Sequence, residues 1–472
     1  MALTVGSFDG VHLGHVDVIG HTVGAAAEIN GASALITFDP GANIGFSTFT
    51  TWASTVGGGG LVPQDLLKNP FPNGKNQPTG SSAGLGTQTG QSLGQIWLKG
   101  PHPTGYQQNL SLNFQYGISP SRVIEVGYTG FRARKLMYGN PGLNMNQLST
   151  SLLSLGSALD TLVPNPFFGT ITSGSLSGQQ IPENRLLRPF PEYTSITPAR
   201  SLPGAKANFD SFTVKFTQQY RSGLSLISSY QWSKTLDDAS EDQGWAIFTN
   251  QWRDYYNRRM EYSISSHDVP QSFVTTLVYE LPVGHGKHFG SGLPKSADYA
   301  IGGWQVSSII TFQSGLPLAP MQAPGNLGAY GFGRSSPNLV STNLLGVKQQ
   351  TPERWFNTCT LLADGKTTSN CQTGDPIAWI VPQPFTIGNA PRFISNIRSS
   401  PFRNTDLSIA KYFQITERFR LQFRAEFLNA WNTPLFGGLN SIGNFATGGN
   451  FGQLFNQENS PRNIQFALKL DF

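Results

Sequence analysis

The sequence predicts an all-β protein: an antiparallel transmembrane β-barrel, incomplete as a closed cylinder, with long external loops and a short α/β fragment in front of it. Three observations carry that reading. Charged residues make up only 12% of the 472 residues, while Gly numbers 53 and aromatic residues reach 12%; an average soluble domain carries about 25% charged residues. Long segments alternate apolar and polar side chains with a period of two, the spacing of a strand with one face in oil and the other in water. Short and long connections also alternate between those segments, as in barrels that turn tightly on one side of a membrane and loop widely on the other.

The chain begins differently. Leu3 to Ser7 reads as a strand, Val16 to Asn30 as a helix and Ala34 to Phe38 as a second strand, so residues 1–40 form a β-turn-α-β opening. Between strand and helix lies Phe8-Asp9-Gly10-Val11-His12-Leu13-Gly14-His15. Glycines at a helix N-terminus let backbone N–H groups approach a phosphate, and His12 and His15 are spaced to contact the charge that develops in adenylyl transfer. This block, with Gly6 and Thr37-Phe38-Asp39-Pro40, resembles the adenylyltransferase domain of bacterial bifunctional riboflavin kinase/FAD synthetase. The resemblance implies a nucleotidyltransferase-like fragment and FMN adenylyltransferase activity with ATP, FMN and Mg. Nucleotide contacts would come from Phe8, Asp9, Gly10, His12, Gly14 and His15, with His12 and His15 as the catalytic pair. The match stops at Gly41, and so short a βαβ piece buries too little apolar surface to fold alone. Enzymatic activity is therefore the alternative reading and a non-enzymatic barrel the main one.

Residues 41–106 are rich in Gly, Ser, Thr, Pro and Asn and read as loops with at most a short strand. Residues 107–472 carry the barrel. Its alternating rows are Leu110-Leu112-Phe114-Tyr116, Ile124-Val126-Tyr128, Phe212-Val214-Phe216-Tyr220 and Leu224-Leu226-Tyr230-Trp232. Phe273-Thr275-Leu277-Tyr279-Leu281, Trp304-Val306-Ile310-Phe312 and Leu407-Ile409-Phe413 follow. The last two are Phe419-Leu421-Phe423-Ala425-Phe427 and Ile464-Phe466-Leu468-Leu470-Phe472. Each is near the length of about 9–11 residues that crosses a bilayer when tilted.

The connections run short (Gly117 to Ser121), long (Phe131 to Ala207), short (Arg221, Ser222), long (Thr235 to Pro270), medium (Pro282 to Gly302), long (Ser314 to Asn404), short (Gln414 to Thr416) and long (Asn429 to Pro461). Short turns on the periplasmic side place Phe472 at the periplasmic edge. No apolar run of about 18 residues marks a transmembrane helix, and Met1 to Thr4 lacks the basic start of a secretory signal. Lys and Arg are scattered, the net charge is only +5, and no nucleic-acid footprint follows.

Several segments carry a further likeness: Asn69-Pro70-Phe71-Pro72-Asn73-Gly74, Ser233-Lys234-Thr235-Leu236-Asp237-Asp238, Val278-Tyr279-Glu280-Leu281-Pro282 and Phe427-Leu428-Asn429-Ala430-Trp431-Asn432. With them, residues 41–472 resemble the C-terminal part of Oar-like TonB-dependent transporters of the outer membrane. The resemblance implies passage or binding of a solute at the cell envelope. In such proteins a carboxypeptidase-regulatory-like domain, a plug and a first barrel half precede this part, and they have no counterpart in these residues. A last strand ending in Phe472 resembles the C-terminal recognition strand of outer-membrane proteins, which implies the barrel assembly machinery and outer-membrane lipid as partners. A structural surface barrel without transport is the remaining alternative.

Candidate site residues follow from the pattern. Arg418, Arg420, Gln422, Arg424 and Glu426 alternate with an apolar row and are read as lumen-facing; the arginines either favour anionic solutes or pair with acidic neighbours across strands. Trp245, Trp252, Tyr255 and Tyr256 share one external loop and either stack on a ligand or anchor the loop. Asp237, Asp238, Glu241 and Asp242 are an acidic cluster without the spacing of a calcium loop. His285 and His288 fall in a periplasmic turn, and no metal site is expected. Cys359 and Cys371 flank a polar segment and are either a disulfide or two free thiols.

Overall fold

The computed structural model describes residues 2–6, 33–37, 56–57, 62–63, 88–96, 103–138, 143–172, 174–198, 202–238, 252–322, 327–341, 346, 350–416, 418–437, 442–443 and 450–472. Two compact units result, Met1–Thr89 and Gly90–Phe472. In the first, Ala2–Gly6 pairs in parallel with Ser33–Thr37 in unbroken register. Phe8, Asp9, Gly10, His12, Gly14, His15 and the expected helix lie outside the described residues.

The second unit is built on one sheet. Its nine long strands are β1 (Tyr106–Ser119), β2 (Arg122–Tyr138), β3 (Leu202–Arg221), β4 (Leu224–Asp237), β5 (Gln271–Glu280), β6 (Trp304–Gln313), β7 (Phe402–Gln414), β8 (Arg420–Leu428) and β9 (Asn463–Asp471). They lie side by side in chain order, with the short Ser263–Ile264 strand added to the upper end of β4. Every ladder between neighbours is antiparallel. Among the described residues no ladder joins β1 to β9, so the wall stands open.

All nine rows read from the sequence are strands of this wall. Register explains why the alternation was legible: Phe212 faces Trp232, Tyr230 faces Phe273, Phe273 faces Phe312 and Ala425 faces Phe466. Apolar side chains thus line up across the sheet on one surface, as a lipid-facing band requires. Many of them are open to the surroundings, including Phe114, Tyr116, Trp232, Phe466 and Leu468. The few polar groups on this face find partners within it: the Ser228 and Thr275 hydroxyls, opposite each other, are 2.9 Å apart, which offsets much of the cost of placing them against hydrocarbon.

Two departures from the sequence reading have physical causes. First, β2 and β3 are 17 and 20 residues long, well beyond the crossing length, so the loop expected from Phe131 to Ala207 shrinks to residues 139–201. Above Tyr128 the outer row turns polar and the alternation of oil and water ends, yet the ladder continues. Arg132 and Tyr128 both reach Asp210 there, Arg132 at 2.8 Å and the Tyr128 hydroxyl at 2.5 Å. Second, the apolar row of β7 contains Lys411 between Ile409 and Phe413, opposite Trp304. Its side chain is buried; the ammonium donates to the Gly302 carbonyl and lies 5.4 Å from the Trp304 ring and 5.2 Å from the Phe413 ring. A long side chain that runs along oil and delivers its charge to a carbonyl at the membrane edge is snorkelling.

The tight turn between β3 and β4 is Ser222-Gly223, with φ of 53° and 82°. Two successive positive φ values are the conformation that suits the twist of a two-residue hairpin. A Cβ on Gly223 would meet the Glu280 carbonyl at 2.8 Å. Gly223→Ala is therefore expected to destabilise the wall by about 1 kcal/mol or more, read as a lower urea midpoint of the detergent-solubilised chain; an unchanged midpoint would contradict the turn geometry.

Candidate functional site

The inner surface of the wall is polar because every second residue of each strand points there. Along β8 the row is Arg420, Gln422, Arg424 and Glu426, and the ladders bring Asp471, Lys469, Ala467 and Gln465 of β9 opposite. The charges pair locally. Arg420 lies 3.1 Å from Asp471, Arg424 lies 3.3 Å from Glu426, and Lys469 lies 2.7 Å from Asp471. Glu426 also accepts from Gln465, and Gln422 donates to the Tyr412 hydroxyl at 2.8 Å. The structure thus sets these arginines in cross-strand and along-strand pairs. Arg418 sits below this row, in the turn between β7 and β8, its backbone N–H 3.3 Å from the Thr416 hydroxyl.

A shallow hollow of about 330 Å3 opens in the middle of the wall, where Thr276, Ser307, Asp406, Ser408 and Glu426 contribute to its lining. Val278, Ile309, Leu407 and Leu428 line it as well, and its exposed surface is mostly apolar; of its two carboxylates, Asp406 accepts the Asn429 N–H at 2.9 Å and Glu426 is held by Arg424 and Gln465. The sequence reading passed over Asp406, although its alternation with Leu407 carries the signal.

Above the wall, the long connections form one packed layer. Leu318, Phe356, Trp379 and Ile394 from the β6–β7 loop share a core with Phe451 from the β8–β9 loop. Leu148, Leu153 and Leu159 from the β2–β3 loop pack with Leu327, Tyr330 and Phe332. The Tyr330 hydroxyl donates to both Asp160 oxygens at 2.9 Å; burial and that carboxylate push it up to about 12. Within the β6–β7 loop, Cys359 and Cys371 form a disulfide.

Buried charges tie the same loops together. Arg253 donates to Glu261 at 3.0 Å and to the carbonyls of Gly388 and Ala390 at 3.1 and 2.6 Å. Arg334 lies 3.6 Å from the other Glu261 oxygen. Arg392, fully buried, reaches Asp237 at the end of β4 and the Glu261 carbonyl. Burial pushes the Arg392 guanidinium down to about 9, so it remains protonated at neutral pH. Asp254 receives Gln147 at 2.7 Å and Thr150 at 2.8 Å, joining the β2–β3 and β4–β5 loops.

This network accounts for most of the remaining sequence candidates. Asp237 and Asp238 are held by Arg392 and Arg258 respectively, while Glu241 and Asp242 lie outside the described residues. Burial lifts the Asp238 carboxyl above the usual range, against the opposing pull of the Lys206 N–H and Arg258. Trp252 is buried against Leu143 and donates to the Asp238 carbonyl at 3.2 Å, so it anchors its loop and leaves no ring face for a ligand. Tyr255 packs beside it. Tyr255 keeps part of its surface, and Tyr256 is 49% exposed. Trp245 lies outside the described residues. No cluster of metal-ligating side chains occurs among the described residues.

A membrane-length antiparallel wall, apolar outside and polar inside, with tight turns at one end and a folded loop layer at the other, defines an outer-membrane β-barrel protein. The chain belongs to the outer membrane beta barrel domain family, whose model matches residues 24–465. No curated protein matches it. Among solved structures it is similar to the outer membrane transporter YddB from Escherichia coli, with 9% identity over 80% of this chain and 34% of that one and a TM-score of 0.34. Another is the pyoverdine outer membrane receptor FpvA from Pseudomonas aeruginosa, with 9% identity over 78% and 30% and a TM-score of 0.30. A third is the ferric-catecholate import receptor Fiu from E. coli, with 10% identity over 78% and 40% and a TM-score of 0.22. The chain thus spans less than half the length of each of these proteins.

Proposed function

We propose that the chain supplies wall and external loops to an Oar-like outer-membrane barrel of TonB-dependent-transporter type, which binds a solute at its loops and passes it along the polar inner face. The observation that supports this reading is the continuous polar row beneath a folded loop layer. Handover to the barrel assembly machinery would use β9 and the adjoining Phe472, which is 94% exposed.

Liposome swelling with the full chain tests the proposal, using arabinose as an uncharged probe and trypsin protection of the wall to verify insertion. Swelling faster than in protein-free vesicles is the expected result. An inserted wall with swelling no faster than the lipid alone would leave a surface barrel without passage.

A second reading rests on one observation, the parallel register of Ala2–Gly6 with Ser33–Thr37. Parallel neighbours require a crossover between them, and the strand–helix–strand opening read from the sequence would supply it. In this reading the segment binds ATP and FMN through the His12-Leu13-Gly14-His15 element and makes FAD. Incubating the chain with FMN, ATP and Mg tests it: FAD formation lost in His12→Ala supports it, and no FAD from the folded chain discards it.

A further inference from the structure

The β5–β6 connection is the longest on the periplasmic side and holds a short helix, α1 (Lys295–Ile301). Three bonds fasten it to the lipid-facing side of the wall. The Trp304 indole donates to the Ala300 carbonyl at 3.0 Å, the Lys411 ammonium donates to the Gly302 carbonyl, and the Tyr299 hydroxyl donates to the Gln414 carbonyl at 3.1 Å. Trp304 and Lys411 belong to the apolar row, opposite each other in register. The connection therefore lies at the lower edge of the band that meets hydrocarbon.

The connection itself exposes apolar side chains. Phe289 is 58% exposed, Tyr299 52% and Ile301 46%. Phe289 is fixed where it stands, with Gly284 donating to its carbonyl at 2.8 Å and its own N–H donating to Pro282 at 2.9 Å. Beside it the exposed His285, Lys287 and His288 form a polar flank, with Lys287 3.4 Å from Glu280. Exposed apolar and aromatic side chains interspersed with polar groups are the composition of a segment that lies in a membrane interface.

We propose that the β5–β6 connection is an interfacial anchor: Phe289, Tyr299 and Ile301 insert into the periplasmic leaflet of the outer membrane, and Lys411 is the strut that holds α1 in that plane. The occupant is phospholipid, because the connection is bonded directly to Trp304 and Lys411 of the lipid-facing row and carries exposed apolar side chains at its edge. Lys411 explains the geometry from the other side: a charge on a lipid-facing row is tolerated where it caps the last carbonyls of a helix lying at the interface.

The test uses full-length chain in phosphatidylethanolamine/phosphatidylglycerol vesicles. Tyr299→Cys, and separately Ile301→Cys in case the first fails to fold, are labelled with the environment-sensitive dye NBD. Leu468→Cys serves as the lipid-facing reference and Ser307→Cys as the inner-wall reference. The proposal expects blue-shifted emission at 299 or 301, quenched by lipids carrying a doxyl group near the carbonyl and shielded from iodide, as at 468. Water-like emission, open to iodide and indifferent to doxyl lipid, with a normal response at 468, would overturn it. Lys411→Met adds a second readout: loss of the strut is expected to move the 299 probe towards the water-like signal while 468 is unchanged.

Discussion

Replacing Glu261 with alanine is expected to loosen the external loop layer by about 3–5 kcal/mol, the usual cost of breaking a buried ion pair from one side. Glu261 is fully buried, with Arg253 and Arg334 on its two oxygens, and both guanidiniums are at most 2% exposed. Removing the one carboxylate leaves two positive charges facing each other where water cannot reach them. At about 1.4 kcal/mol per tenfold, local opening should rise by about two to three and a half decades, and trypsin should cut within residues 252–270 and 350–401 while the wall stays protected. Wild-type protection in Glu261→Ala would mean that the loop layer stands on its apolar cores alone. The triple replacement of Arg253, Glu261 and Arg334 by methionine should recover most of the loss, because it removes the charges together with their desolvation cost.

The second large effect is expected at Leu468. It lies mid-row on the outer face of β9, 70% exposed, opposite Phe423 and next to Phe466, whose ring stacks on Phe423 at 6.1 Å. Leu468→Arg puts a charge against hydrocarbon near the centre of the band, at a cost of about 2–4 kcal/mol. The neighbouring Lys469 faces inward, so Lys469→Gln at an adjacent position is expected to cost little. Folding into vesicles, read as the slower migration of the unboiled sample, should fall sharply for the first and little for the second. Equal folding of the two would refute the assignment of faces.

How far the sequence could be read depends on the range of the interactions involved. The nine strands were legible because alternation is a local property, imposed on each strand by lipid on one side. Lys411 was not, since its place in an apolar row makes sense only once Gly302 and Trp304 are seen beside it. The ties of Arg253 to Gly388 and of Arg392 to Asp237 join residues more than 130 positions apart, and nothing in the spacing of either segment announces the other. Trp252 shows the same limit, because an aromatic residue in a loop looks alike in sequence whether it awaits a ligand or fills a core. For the arginines read as lumen-facing, the pairing of Arg420 depends on register, which puts Asp471 opposite it, and no spacing within either segment carries that information.

The direction of the edge strands restricts how this wall can be completed. β1 descends from the loop layer to its tight turn at Ser119, and after eight reversals β9 descends again to Asp471. A seam made by zipping β9 onto β1 would therefore be parallel, and so would the seam between two copies inserted side by side in the same orientation. Parallel seams carry slanted, slightly weaker hydrogen bonds. An all-antiparallel cylinder needs an ascending strand next to each edge, hence an odd number of strands bridging them, which neither self-closure of the nine described strands nor the pairing of two such nine-strand walls can provide.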